Sequence, residues 1–171
     1  DKGVVNATLL GSVLTEARNA DVPVFLDPKV HHADYYHPTT LIKPNNREAE
    51  LLSGLALTDR KSLEEAGKRL LNRFKCPYIL ITRGEDGMSL FDKDEVHHLR
   101  TSAREIFDVT GAGDTVIACL AIATAGGARM DEAALLANYA AGLVVGKVGT
   151  ASVTRKELLD HLNDTDAHSA G

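Results

Sequence analysis

Apolar positions along the chain follow two periods, and their alternation defines the predicted elements. Val5, Leu9, Leu10, Val13 and Ala17 recur at helical spacing between Val4 and Ala20. Pro23-Val24-Phe25-Leu26 then reads as a short buried strand that ends at Asp27-Pro28, and Thr40-Leu41-Ile42-Lys43 as a second, stopped by Pro44. Asn45 or Asn46 is placed to cap a helix running to Ser53, where Gly54 ends it. Ser62 and Glu65 have capping-box spacing ahead of an amphipathic helix through Phe74. Tyr78 to Thr82 is the clearest buried strand, and Met88 to Phe91 is predicted to pair back on it antiparallel, with Val96 to Leu99 as a further edge strand. Two strongly apolar helices follow, Asp114 to Ala125 and Asp131 to about Val148, the second interrupted softly by Gly142 and Gly146. Thr154 and Glu157 form a capping box for the last helix, and the polar stretch from Asn163 is expected to fray.

Helices alternating with short apolar strands predict an α/β fold in three layers, αβα, with a mostly parallel sheet and an antiparallel margin. Residues 1–163 are expected to form one domain or part of one, and residues 164–171 a polar tail. Composition fits: 44% of the 171 residues are hydrophobic and 25% charged. The net charge of -5 argues against a general nucleic-acid binder, which needs a basic surface. No apolar run approaches the ~20 residues that span a bilayer, so no membrane partner is expected. Cys76 and Cys119 match no zinc spacing, which suggests a reduced, cytoplasmic protein.

Candidate chemistry collects in segments that follow strands, where open α/β sheets bind ligands. In Asp108-Val109-Thr110-Gly111-Ala112-Gly113-Asp114, small residues let the backbone approach a ligand. The helix starting there offers free N–H groups to an anion. Asp114 is placed either to accept a proton from an attacking hydroxyl or to cap the helix, and local chemistry leaves the two open. Asn45 and Glu48 share a helix face, as magnesium ligation or simple capping would use. Thr82-Arg83-Gly84-Glu85-Asp86-Gly87 offers phosphate contacts, though hairpin turns use the same residues. No P-loop or Gly-x-Gly-x-x-Gly motif occurs. The pairs His31-His32 and His97-His98 read as surface histidines, because adjacent residues on a strand face opposite ways.

In this order, Asp27-Pro28, Asn45-x-x-Glu48, Thr82-x-Gly84-x-x-Gly87 and Asp108 to Asp114 resemble the ribokinase-like (PfkB) family of carbohydrate kinases. Residues 24–29, 108–117 and 137–150 look like its heptose 7-phosphate kinase branch, the kinase half of a bifunctional heptose kinase/adenylyltransferase. The resemblance implies a ribokinase-like fold and transfer of a phosphoryl group from ATP to the C1 hydroxyl of D-glycero-β-D-manno-heptose 7-phosphate. Another sugar or a nucleoside is the alternative acceptor, and a nucleotide-binding fragment without turnover is a further one. It implies Asp114 as base, Gly111, Ala112 and Gly113 as the anion hole, and Asn45, Thr82, Gly84, Gly87 and Asn138 as nucleotide contacts. Glu48 would serve Mg2+ through water, while Asp108 and Thr110, with the loop 149–152, would serve a monovalent cation such as K+. Lys43 stands where the family pattern leads one to expect Thr or Ser. Matching only the C-terminal half of a family member, and opening on Asp1-Lys2-Gly3 without Met, the chain is expected to belong to a longer protein. Most sugar contacts and the surface of an expected homodimer or higher oligomer would then lie elsewhere in that protein.

Overall fold

The structure is a computed structural model that describes residues 4–103, 107–149 and 151–169. Its residues fall into two compact units, one running to Arg83 and including Ser89–His98, the other containing Gly84–Met88 and the residues from Leu99 onward.

In the first unit, α1 (Ala7–Asn19) starts where the Asn6 side chain accepts the Leu9 N–H. The helix is as the apolar spacing predicts, but its buried residue is Leu14, and Leu10 packs on the core while Leu9 and Val13 stay exposed. Leu10 and Leu14 are four apart and so share the face that meets the core, leaving the rest of the stripe open. The strands β1 (Phe25–Leu26), β2 (Leu41–Ile42), β3 (Tyr78–Thr82), β4 (Met88–Phe91) and β5 (Val96–Leu99) lie side by side in that order. β1, β2 and β3 are parallel, with Leu26 beside Ile42 and Ile42 beside Ile79. The links to β4 and β5, residues 83–87 and 92–95, are too short for a crossover, so the chain turns back at each and supplies the antiparallel margin.

Helix α2 (Asn46–Ser53) is capped by Asn45 and stopped by Gly54 at φ 71°. Helix α3 (Arg60–Phe74) begins earlier than the Ser62/Glu65 spacing suggests, because Asp59 is the cap and accepts the Ser62 N–H. The Ser62 hydroxyl meets the Thr58 and Asp59 N–H groups, while Glu65 instead pairs with Arg69. Ile42, Leu70, Phe74, Ile79, Ile81 and Phe91 form the core that holds these elements together.

The second unit contains α4 (Ala112–Ala125), α5 (Met130–Val145) and α6 (Arg155–Ser169). α5 packs along α4, and α6 against α5. Small residues on α5, Ala133, Ala137 and Ala140 among them, are fully buried and allow the close approach. The Thr154/Glu157 box forms, with the Thr154 N–H donating to Glu157 Oε2 at 2.7 Å. The backbone stays helical to Ser169, further than the polar composition suggests, because no Gly or Pro interrupts residues 155–169. No helix among the described residues is long and apolar enough to cross a membrane.

Candidate functional site

The second unit carries the glycine-rich turn. Gly111 is the N-cap of α4 at φ 81°, a left-handed conformation natural to glycine, and it brings no side chain to cap the helix. The Ala112 N–H is spent on the Val109 carbonyl at 3.2 Å, and the Thr115 N–H on that of Gly111. The N–H groups of Gly113 and Asp114 have no acceptor among the described residues. Those two amides, at the positive end of the helix dipole, are the groups free to meet an anion.

Asp114 is the third residue of α4, exposed, with no hydrogen-bond or ion-pair partner among the described residues. Because Gly111 holds the cap position, capping is not the task of Asp114, and the choice the sequence left open narrows to an unpaired carboxylate. A cavity of about 610 Å³ adjoins it, lined also by Thr115, Cys119, Ile122, Ser152 and Leu158. Ile122 is 74% exposed although apolar.

Asp108 lies just before this turn, tied by its N–H to the Val145 carbonyl at 3.2 Å. The Thr110 hydroxyl and N–H, with the Gly149 backbone, hold its carboxyl below the usual carboxylate range. The structure thus brings Asp108, Thr110 and Gly149 together, while Thr150 lies outside the described residues. An ionised carboxylate beside a hydroxyl is an oxygen set that fits a monovalent cation.

Gly84 and Gly87 both take positive φ, 59° and 82°, and the Gly87 N–H closes the turn on the Gly84 carbonyl at 3.1 Å. A Cβ at Gly87 would fall 2.6 Å from the Thr101 nitrogen, so the backbone alone can occupy that place. Asn138 is only 5% exposed, and its Nδ2 donates to the Arg100 carbonyl at 2.7 Å. The Ser102 hydroxyl donates to the Asn138 carbonyl at 3.1 Å, and Gly142, one turn along α5, lets Ala103 approach where a Cβ would sit 3.0 Å from its nitrogen. Asn138 therefore anchors the segment 100–103, a task that its place in an apolar helix does not reveal.

The first unit holds the other candidates at the carboxyl ends of its parallel strands. Thr82 closes β3 and bridges to Asn45. Asn45 Oδ1 accepts the Glu48 N–H and Glu48 Oε2 accepts the Asn45 N–H, each at 2.9 Å, so the pair is a reciprocal capping box. Glu48 Oε1 has no partner among the described residues, and such a hard, charged oxygen fits a water of hydrated Mg2+. Sequence reasoning gave no role to Lys43, which is buried and paired to Asp27. The signal was a charge set directly after Leu41-Ile42, at the same strand end as Asp27 after Phe25-Leu26.

No three His, Cys, Asp or Glu side chains gather for a metal among the described residues. His98, expected at the surface, is instead half-buried with Nδ1 2.9 Å from the Ser89 hydroxyl, because the edge strand β5 turns that face toward β4 and α3.

Residues 3–157 match the family described as pfkB family carbohydrate kinase. The bifunctional protein HldE of Geobacter metallireducens is 48% identical over 171 residues, covering 97% of this chain and 35% of that protein. The HldE of Geobacter sulfurreducens is 49% identical over 162 residues, covering 94% and 33%. The chain thus spans about a third of the length of these relatives. Among solved structures, Arabidopsis thaliana ribokinase complexed with ribose and ATP superposes with a TM-score of 0.81 at 25% identity, covering 92% of this chain and 53% of that one. A ribokinase-like protein of Agrobacterium tumefaciens gives 0.82 at 26%, covering 94% and 54%. The fold is therefore ribokinase-like α/β.

Proposed function

Because the chain belongs to the pfkB family of carbohydrate kinases, we propose that it is the nucleotide-side and catalytic part of an ATP-dependent sugar kinase with Asp114 as base. The observation that carries this reading is the unpaired Asp114 carboxylate on the first turn of a helix whose Gly113 and Asp114 amides have no acceptor among the described residues. In the proposed reaction the acceptor hydroxyl oxygen attacks the γ-phosphorus of ATP, its proton passes to the Asp114 carboxylate, and the bond to the β-phosphate oxygen breaks, releasing ADP. The free amides stabilise the charge on the transferring group, and little else is demanded of the protein. Thr82, Gly84 and Gly87 are assigned to the nucleotide, together with Asn45, and Asn138 acts there through the segment it fixes. When bound, Mg2+ neutralises phosphate charge. Glu48 would hold one of its waters, and Asp108 with Thr110 would hold K+.

The acceptor we assign is the C1 hydroxyl of D-glycero-β-D-manno-heptose 7-phosphate. Support comes from the identity to HldE proteins along nearly the whole chain, together with the resemblance that residues 24–29, 108–117 and 137–150 carry in the sequence itself. The test is a substrate panel on the full-length protein, with heptose 7-phosphate, ribose, fructose 6-phosphate and a nucleoside as acceptors. Faster turnover on any of the others than on the heptose would overturn the acceptor. Asp114→Asn is expected to lower kcat by about 10²–10⁴-fold, the usual worth of a positioned base. Retention of most activity would remove Asp114 from that role.

A further inference from the structure

A polar cluster that the kinase reading does not use lies under the edge of the sheet in the first unit. His98 sits on β5, the marginal strand, whose four residues are all partly exposed. The inward contacts of β5 are Val96 on the core and His98 on β4 and α3, two positions apart and so on one face. His98 Nδ1 is 2.9 Å from the hydroxyl of Ser89, which is fully buried. The ring also meets Phe91 edge-on, with the ring centroids 6.5 Å apart. Nε2 lies 3.5 Å from Glu64 Oε1, too far for a full hydrogen bond, and Arg60 Nε holds that same oxygen at 3.0 Å.

These surroundings accept a neutral ring and resist a charged one. The groups that face it are Glu64 and Arg60 from α3, Arg83 after β3, and from β4 the uncharged Ser89 and Phe91. Burial and, after it, the charge of Arg60 hold the imidazole below its ordinary 6.5, against the opposite pull of Glu64. An amide or a threonine could meet the Ser89 hydroxyl equally well, but only histidine ordinarily changes charge between about pH 5 and 8. The consequence travels along the chain. Leu99 follows His98 directly, and its carbonyl lies where a Cβ on Gly87 would collide with it. The turn 84–87 is thus backed by the end of the strand that His98 docks.

We propose that His98 is an acid-sensitive latch on the nucleotide turn. As a neutral ring it docks β5 and steadies Gly87 through Leu99; as a cation it lets that strand go, and nucleotide is held less firmly. The nucleotide part rests on the kinase reading above, and the experiment separates the two. The sign follows from linkage: a histidine held below its ordinary value stabilises the closed strand above 6.5, and that contribution drains away as pH falls. Each pH unit below 6.5 multiplies the open population by up to about tenfold, until the folded value is passed.

Full-length wild type, His98→Asn and Arg60→Gln are compared from about pH 7.5 to about pH 5.5. Two quantities are read: amide exchange of residues 96–101, corrected for its intrinsic pH dependence, and affinity for a non-hydrolysable ATP analogue. Wild-type exchange is expected to quicken by up to about tenfold across that range. His98→Asn, whose amide still meets Ser89 but takes no charge, removes the response. Arg60→Gln flattens it, because one repelling cation is gone. Affinity falls in wild type by about threefold or more beyond the fall in His98→Asn, a ratio that cancels the analogue's own titration. The latch is overturned if wild-type exchange is flat or if His98→Asn responds as wild type does. It is overturned equally if exchange responds while the affinity ratio stays constant. Should His98→Asn not fold, identical responses in wild type and Arg60→Gln refute it. If wild type binds no analogue at any pH, the nucleotide reading fails by itself, and the exchange data still decide for or against a latch on β5.

Discussion

Replacing Asn138 tests whether its buried amide holds the segment that runs beside α5. Asn138→Leu keeps the size of the side chain and leaves the Ser102 bond intact, because that bond ends on the backbone carbonyl of residue 138. What is lost is the 2.7 Å donation from Nδ2 to the Arg100 carbonyl. The bond is part-buried, and an acceptor shielded from water and deprived of its donor costs about 1–3 kcal/mol. Leucine returns about 0.5 kcal/mol through better helix propensity. The net loss is about 0.5–2.5 kcal/mol, or a fall in Tm of about 1–10 °C for a chain of this size. Asn138→Asp should cost more, since it sets a carboxylate oxygen against a carbonyl oxygen in a place 5% exposed. Urea unfolding followed by circular dichroism measures both, and an ATP titration alongside reports how far segment 100–103 governs nucleotide affinity. A leucine variant as stable as wild type, or an aspartate variant more stable than the leucine one, would refute the reasoning.

Two other substitutions are set by equally local geometry. Gly67→Ala gains about 1 kcal/mol of helix propensity but drives its methyl into the Phe91 ring, whose Cγ would lie 2.6 Å away. Overpacking of a fully buried ring costs about 1–3 kcal/mol, so a net destabilisation is expected in urea unfolding, relieved by Phe91→Leu. The Lys147 ammonium, helped by the Thr154 N–H and hydroxyl, holds the Glu157 carboxyl down to about 2. Its folded value lies below the ordinary 4.5, so it stabilises α6 above that value, and the contribution drains away as pH falls from about 4.5 through about 2. Hydrogen exchange of residues 155–169 should loosen across that window, and Glu157→Gln should flatten the response.

The strands and most helices were legible because each carries its own signal: a short apolar run bounded by turn residues, or a cap at the right distance. Where two caps competed, spacing alone misled. Ser62 is a good cap by type, but Asp59 takes the position and leaves Ser62 to close the box from inside the helix. The buried face of α1 was not legible for a related reason, since Leu9, Leu10 and Val13 all fit a helical stripe and only packing selects Leu10 and Leu14. The glycine-rich turn was legible as the start of a helix, because Gly111 takes the positive φ that such a turn needs, whereas local chemistry left the task of Asp114 open between base and cap. The pairing of Lys43 with Asp27 was not, since it depends on a parallel register between strands separated by the 3-10 helix Val30–Tyr35. Asn138 needed contacts from residues 36 and 38 positions away, which no local pattern contains.

Gly111 leaves α4 without a stopper of its own making. A serine or asparagine cap would have filled the first turn from within and made the helix self-sufficient. If, as proposed, the transferring phosphate docks on the Gly113 and Asp114 amides, the ligand itself completes the helix, and occupancy and the firmness of its first turn rise together. Order at Gly113 and Asp114 then becomes a gauge of loading, readable by amide exchange even in a variant that cannot turn over. A residue chosen to tidy that end of the helix would stiffen the empty protein and compete with its ligand.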